Sequence, residues 1–399
     1  MYCKKVKTKS GLVWECVEDG PPNPSTGRRR QIKRRGKTRV EAKQRVEDIL
    51  NSLQDDGIDY RVSTVMTFDK VAHTWLEVYA ATGVKRGSIR IREKEINLLS
   101  EYLAKAPISD ISHYMYQNLL IDLDRRGYAR ATISGVNNCA NMVFKYAKRN
   151  KLIKENPRED AIVPKKKVSI KDLEENSIKE SYFESEELDK FLNSVLTIGL
   201  DLDKEWFFTL AFSGMRPGEL VALKKSDLDF NKNTIRISKT LYSEKNNMKD
   251  YMLDTTKTNR SRIIDMDESI MKMLKQLVRI NDRHKMKYRT IIEDFHDEDF
   301  VFQRKNGYPF LTKNLSNRMK RLLKFSEVKK ELTPHSFRHT HISMMTEAGT
   351  ELSTIMERVG HIDPNTTLKV YTHVTEKMKV TSIKNVTAHH TNILEKLSF

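Results

Sequence analysis

The sequence predicts a multidomain chain in three structural parts. A small N-terminal β-sheet with one helix comes first, then an all-α bundle, then a larger, mainly helical α+β part. Three observations predict this. The chain has 399 residues, roughly two or three domains at ordinary domain size. Its apolar residues have strand-type composition near the start, helical spacing from about 67 to 156, and a mixture of both after 182. Residues 158–180 are charged with little apolar content, the composition of a linker.

The first part opens with Leu12-Val13-Trp14-Glu15-Cys16-Val17, which has β-type composition. Pro21 to Gly27 is a turn by its Pro, Asn and Gly content. Arg28 to Arg35 then predicts a second strand with basic side chains on both faces. Thr38 can cap a following helix, with Glu41 completing a capping box. Val40, Ala42, Val46, Ile49, Leu50 and Leu53 recur near helical spacing, and Asp55-Asp56-Gly57 closes the unit.

Four helices are expected next. Thr67-Phe68-Asp69-Lys70 opens one carrying Val71, Trp75, Leu76 and Tyr79; the others cover 88–103, 111–126 and 132–150, with Asn156-Pro157 as the stop. Helices of this length make a bundle. After the linker, 185–200, 203–213 and 267–285 predict helices, whereas 234–237, 261–264 and 300–302 predict strands. The remainder is expected to be mainly helical.

Composition excludes several classes. No apolar run approaches the ~20 residues of a membrane helix. The start, Met1-Tyr2-Cys3-Lys4-Lys5, is basic with no apolar stretch behind it, so no secretory signal is expected. Cys3, Cys16 and Cys139 are odd in number and lack metal-type spacing, which argues against a disulfide scaffold or zinc finger and for a reducing compartment. The net charge of +18 makes nucleic acid the first candidate partner. Residues 1–40 hold twelve Lys/Arg against three Asp/Glu, half of that excess.

Four fragments of the last part carry chemistry. They are Gly214 to Leu220 (GMRPGEL), Thr255 to Arg260 (TTKTNR), Thr333 to Thr340 (TPHSFRHT), and Val359 to His373, which includes Gly360-His361 and Tyr371. Arg216 stands before a Pro at a helix start, where backbone N–H groups also point outward, a good anion site. A guanidinium is a planar fork matched to phosphate. His335 and Arg338 are three apart and share a helix face. Gly360 can end a helix and let His361 project. Tyr371 lies ten residues beyond His361, in a short helix opened by Asp363-Pro364. Only a fold could bring these fragments together.

In this order the fragments resemble the tyrosine recombinase (phage integrase) family, of the kind with an arm-binding domain, found in phages and integrative elements. Arg216 matches its first arginine, Lys257 its β-hairpin lysine, and His335 with Arg338 its H-x-x-R pair. His361 matches the second His/Trp position and Tyr371 the nucleophile. The resemblance is tight over 182–380 and looser over 62–165. It implies an arm-type DNA-binding domain at 1–57, a helical core-binding domain at 62–165, a linker at 166–181 and a catalytic domain with C-terminal tail at 182–399. The implied function is integration and excision of a mobile element through a 3′-phosphotyrosine and a Holliday junction, by a homotetramer on double-stranded DNA with core and arm sites. An excision factor or a host DNA-bending protein is a further partner it allows. It implies no cofactor and no metal, and a cytoplasmic protein of a bacterial cell, nucleoid-associated when active.

The charge pattern adds DNA-contact candidates: Arg28, Arg29, Arg30, Lys33, Arg34 and Arg35 in the first part, and Lys165, Lys166 and Lys167 in the linker region. Within the site, Glu219 reads as the orienting partner of a buried arginine. Arg260 and Arg262 compete with Lys257 as proton donor, but an arginine gives up a proton poorly. His335 and His339 have a metal-ligand spacing, but Ser336 stands where a zinc protease has glutamate. A type IB topoisomerase would share the chemistry, and a DNA-binding regulator would share the charge.

Overall fold

A computed structural model of the chain describes residues 1–8, 11–20, 29–55, 66–165, 182–365, 367, 368, 370–375 and 378. The turn expected at 21–27, the linker 166–181 and the tail beyond 381 lie outside the described residues. The chain divides into two compact units, Met1–Lys167 and Val168–Phe399.

The first unit begins with an antiparallel sheet of β1 (Tyr2–Thr8), β2 (Gly11–Gly20) and β3 (Arg30–Gly36), in that order, followed by α1 (Arg39–Asp55). The sequence reading did not foresee β1, whose lysines masked its alternation. Cys16, Ile32, Ala42 and Val46 form the core between sheet and helix. Val40, expected on the buried face, is exposed. The Thr38 hydroxyl accepts the Glu41 N–H at 3.2 Å, but the Glu41 carboxylate accepts from Lys37 N at 2.7 Å, one residue before the expected cap. The expectation against disulfides is corrected here. Cys3 and Cys16 stand directly opposite in the β1–β2 register, with Cα atoms 4.1 Å apart, and are joined by a disulfide. Their spacing of thirteen residues meant nothing until the strand register brought the two Cβ atoms face to face.

The same unit continues with α2 (Phe68–Ala81), α3 (Arg86–Leu103), α4 (His113–Arg125) and α5 (Arg130–Arg149). Thr67 occupies the position before α2, and the Ser112 hydroxyl caps α4 by accepting Met115 N–H at 3.2 Å. Phe68, Leu99, Tyr116, Leu120, Val136 and Phe144 are among the residues of its core. Among the polar groups admitted there, the Tyr116 hydroxyl is paired, donating to Asn137 Oδ1 at 2.9 Å.

The second unit opens with α6 (Ser185–Ile198), α7 (Asp203–Ser213) and the single turn α8 (Pro217–Leu220). Two small sheets follow. One orders β4 (Leu228–Asp229), β5 (Thr234–Ile237) and β8 (Arg262–Asp265); the other pairs β6 (Lys239–Tyr242) with β7 (Met252–Thr255). The strand expected at 300–302 is absent. Phe300 and Gln303 make only isolated bridges to Lys224 and Pro309, because Val301 and Phe302 turn into the core between them. Then come α9 (Glu268–Tyr288), α10 (Thr312–Leu323), α11 (Ser336–Glu347) and α12 (Leu352–Val359). Further helical residues lie between 364 and 375. Among the described residues no helix is long and apolar enough to cross a membrane.

An aromatic knot anchors this unit. The Phe191 ring lies 5.1 Å from that of Phe183, 5.3 Å from Phe207 and 5.5 Å from Phe337, joining α6, α7 and α11. Phe337 precedes Arg338, so the packing that holds α11 also fixes where its polar side chains emerge. Phe191→Ala should destabilise the second unit by about 3–5 kcal/mol, read as a lower urea midpoint at unchanged slope. An unshifted midpoint would remove Phe191 from the core that positions α11.

Candidate active site

The site is assembled from the ends of elements. α7 stops at Gly214, whose φ of 64° is the left-handed region glycine favours; a Cβ there would lie 2.6 Å from the His341 ring. The chain then places Arg216 just before α8, with Pro217 as its first helical residue. Arg216 Nη1 donates to Glu219 Oε1 at 2.8 Å and its Nη2 to the Gly360 carbonyl at 3.2 Å. Its backbone N–H donates to Glu219 Oε2 at 2.9 Å.

Glu219 is 1% exposed and holds a second arginine. Arg262 Nη2 donates to Glu219 Oε2 at 2.7 Å and Nη1 to Oε1 at 3.3 Å. Burial alone would raise the Glu219 carboxyl, but the bonds and charge of Arg262, then Arg216, hold it below its ordinary range. The pairing of Glu219 with Arg216 is the one expected from the sequence, and Arg262 is a second partner that the sequence did not show.

Lys257 lies in the turn after β7, exposed, making no hydrogen bond or ion pair with any described residue. Its turn is no hairpin: β7 pairs with β6 and β8 with β5, so the segment carries the chain from one sheet to the other. Local bonds shape it instead of a ladder. The Thr256 hydroxyl donates to the Arg260 carbonyl at 2.7 Å, and Asn259 takes a φ of 53°.

His335 stands just before α11, and Arg338 lies within its first turn. Arg338 is fully buried, with Nη1 donating to the Gly214 carbonyl at 2.9 Å and Nε to His361 Nε2 at 3.1 Å. Its Nη2 is buried with no partner among the described residues. Burial, then the charge of Arg216, lowers its affinity for a proton. His361 follows the left-handed Gly360 that ends α12, and its Nδ1 meets the Thr367 hydroxyl at 2.6 Å. With Nε2 accepting from Arg338, the proton sits on Nδ1 and Thr367 accepts it. Burial, then Arg338 and Arg216, push His361 down to about 3.

His335 is exposed and its ring lies 5.3 Å from that of His339. Desolvation by the surrounding protein, then His339, Arg338, Arg216 and Lys257, push it down to about 4, so it is neutral at pH 7. The charge of Lys257 is therefore within reach of His335. Tyr371 lies on the helical residues after His361, half-buried against a cluster containing Ile342, Ile355, Val359 and Val370. Its hydroxyl makes no hydrogen bond with any described residue. Hydrogen bonds thus join Arg216 and Arg338 with His361 and its helix end, His335 and Lys257 share their field, and Tyr371 is backed by the same helices. Among the described residues no three His, Cys, Asp or Glu side chains are grouped to hold a metal ion.

Of the residues read as DNA contacts, Arg28, Lys166 and Lys167 lie outside the described residues. Lys33 and Arg35 alternate with the core residue Ile32 and so point away from α1. Arg35 Nε donates to the buried Glu15 at 2.9 Å, and the exposed Arg29 pairs with Asp19. Arg34 Nη1 donates to the Lys33 carbonyl at 2.8 Å; Arg30 lies at the start of β3, and Lys165 is exposed.

Residues 181–378 match the model of the phage integrase family. The chain is 31% identical over 337 residues to an integrase of Staphylococcus phage L54a, covering 78% of this chain and 90% of that protein. It is 30% identical over 321 residues to a probable integrase of prophage ps2 of Lactococcus lactis, covering 78% and 80%. Its fold matches that of a lambda integrase tetramer bound to a Holliday junction, with a TM-score of 0.58 at 15% identity, over 92% of this chain and 94% of that one.

One buried imidazole behind the site is a pH liability. His341, 6% exposed, donates from Nδ1 to the Ala211 carbonyl at 3.0 Å and accepts from Arg358 Nε on Nε2 at 2.9 Å. Burial, then Arg358, push it down to about 4 from 6.5. Below pH 6.5 the unfolded chain binds the proton that the folded chain refuses. Stability is therefore lost as pH falls from 6.5 towards 4, by at most about 1.4 kcal/mol per pH unit from this group. Glutamine can donate and accept in the same places without titrating. Urea melts of wild type and His341→Gln at pH 7.5 and 5 should show a smaller acid loss for the variant, and equal losses would refute the assignment.

Proposed function

The chain belongs to the phage integrase family and is a site-specific tyrosine recombinase of a mobile element, and on that premise we propose that Tyr371 attacks a DNA phosphodiester clamped by Arg216 and Arg338. The support that carries the reading is the buried cluster in which both guanidinium groups and His361 are joined by hydrogen bonds around the end of α12. Such an array has one strong use, to meet negative charge that develops on phosphate oxygens.

In the proposed step the Tyr371 oxygen bonds to phosphorus as the P–O5′ bond breaks, leaving a 3′-phosphotyrosine and a 5′-hydroxyl. A phenol of ordinary pKa near 10 is only ~0.1% ionised at pH 7, so the attack needs a proton acceptor. Neutral His335 is that acceptor. Lys257, with no partner among the described residues, gives its proton to the leaving 5′-oxygen. Arg216 and Arg338 hold the nonbridging oxygens, and the unpartnered Arg338 Nη2 has a donor to spare. His361 aligns Arg338; giving a hydrogen bond to phosphate would require its Nε2 to let go of Arg338 and take a proton. Religation is the reverse step by another strand's 5′-hydroxyl. The covalent link conserves the phosphodiester, so no ATP enters.

The finer organisation follows from the family. Residues 62–165 and 182–399 hold the core site, 166–181 link them, and residues 1–57 read arm sites through the face bearing Lys33 and Arg35. Four protomers join two duplexes through a Holliday junction, the substrate of the lambda integrase tetramer. The cellular place is the bacterial cytoplasm at the DNA, with an excision factor or DNA-bending protein as further partners. Relatives named as integrases favour this reading over a topoisomerase or a silent regulator.

A core-site duplex nicked near the cleavage point should trap a covalent protein–DNA band with wild type and none with Tyr371→Phe; a band that survives the substitution refutes the nucleophile. Deleting residues 1–57 should spare that band while abolishing integration between full attachment sites in a plasmid assay. Undiminished integration by the truncated protein would remove the arm-site role.

A further inference from the structure

Arg262 touches no part of the reaction described above, yet it contacts two of the segments that deliver its residues and lies on a third. It sits at the start of β8, five residues after Lys257, with its side chain 9% exposed. Its Nη1 and Nη2 both reach the Glu219 carboxylate that orients Arg216. Its Nε donates at 2.9 Å to the carbonyl of Arg358, next to the end of α12 that turns into Gly360 and His361. The fit is close: a Cβ on Gly360 would lie 3.1 Å from Arg262 Nη1.

From this geometry we infer that Arg262 is a positioning residue for phosphoryl transfer, holding Arg216 and the His361-bearing helix end in register on the phosphate. The inference rests on the reading of Arg216 and His361 as phosphate-site groups. Three donors in a rigid fork make three directional bonds at once, which an ammonium group cannot reproduce. The side chain is too enclosed to grip DNA itself. It acts through Glu219 on Arg216, and through the α12 terminus on the Gly360 carbonyl that accepts from Arg216 Nη2. The link to Lys257 is only along the chain, through the turn closed by Thr256 and Arg260. Its effect therefore falls on the phosphate clamp and not on protonation of the leaving oxygen.

A pair of substrates separates these routes. In one the leaving bridging atom is the natural 5′-oxygen; in the other it is sulfur. A thiol of pKa near 8.5 leaves as thiolate without a general acid. Single-turnover cleavage is measured on saturating nicked duplex with the full-length protein. Lys257→Met should be slow on oxygen and restored on sulfur. Arg262→Met should be slowed on both by the same factor, on the order of a hundredfold for a misplaced clamp, with core-site affinity and melting temperature reported alongside. Arg262→Lys keeps a cation opposite Glu219, and so guards against a variant that fails to fold; it should show the same equal slowing, less severely.

Wild-type rates from a folded Arg262 variant would overturn the inference. So would restoration by sulfur, which would put Arg262 behind Lys257, or a loss no larger than the fraction of unfolded protein. The control with Tyr371→Phe is independent. Should that variant still link to DNA, the reading of the nucleophile falls, whatever Arg262 does.

Discussion

The second unit turns on one buried carboxylate between two guanidinium groups. Glu219 is almost wholly excluded from water, a position that costs a charged group dearly unless it is matched. Arg262 and Arg216 match it from two sides, and the Arg216 backbone N–H adds another bond. Neither arginine could be held so rigidly by a surface partner, since exposed pairs are loose and screened. Four elements meet here: the Gly214 turn, α8, β8 and the end of α12. The carboxylate is therefore less a source of net stability than a device that fixes orientation, since breaking one side would strand a charge in the interior.

Around that pair the site is short of negative charge by design. Arg338 is buried with one nitrogen unsatisfied, and Arg216 is near enough to disfavour its charge further. Both features are unfavourable in the free protein and both are relieved when an anion arrives. Desolvation first, and then the same field, keep the imidazoles neutral, His361 with its proton directed to Thr367 and His335 with its ring exposed. A preorganised set of donors that needs no reorganisation at the moment of reaction is what electrostatic catalysis requires.

Much of this was legible because it depends on local rules. The helix 203–213 was read to the residue, since Asp203 opens it and Gly214 can adopt the left-handed cap. Arg216 before a proline, His361 after a glycine and the opposed faces of β3 follow from equally short-range chemistry. What escaped depends on register and on long-range pairing. Cys3 and Cys16 needed the β1–β2 alignment; β6 and β7 are four residues each and hide between charged neighbours. Arg262 drew notice only as a competitor to Lys257, because nothing in the string R-S-R-I-I says that Glu219, forty-three residues earlier, waits for it. His341 and Arg358 likewise meet only once α11 packs against α12. A Phe300-Val301-Phe302 run has strand composition and is buried, yet its flanks make only isolated bridges, a pairing that depends on distant Lys224 and on Pro309.

The proton inventory of the free site also constrains the order of events in the proposed reaction. His335 and His361 are both neutral in the free site. An arriving phosphodiester adds one negative charge among them, which raises the proton affinity of both imidazoles. For His335 that shift works towards catalysis, since a better base takes the phenol proton more readily. For His361 it acts on a ring whose lone pair is already engaged by Arg338, so the same charge pulls that guanidinium and its imidazole towards the phosphate together. In the proposed reaction, substrate binding thus converts a cation-rich pocket into a matched one and strengthens the base at the same moment. A phenol proton could not be moved to His335 with equal ease before the phosphate is in place, and this ties ionisation of Tyr371 to the presence of its target.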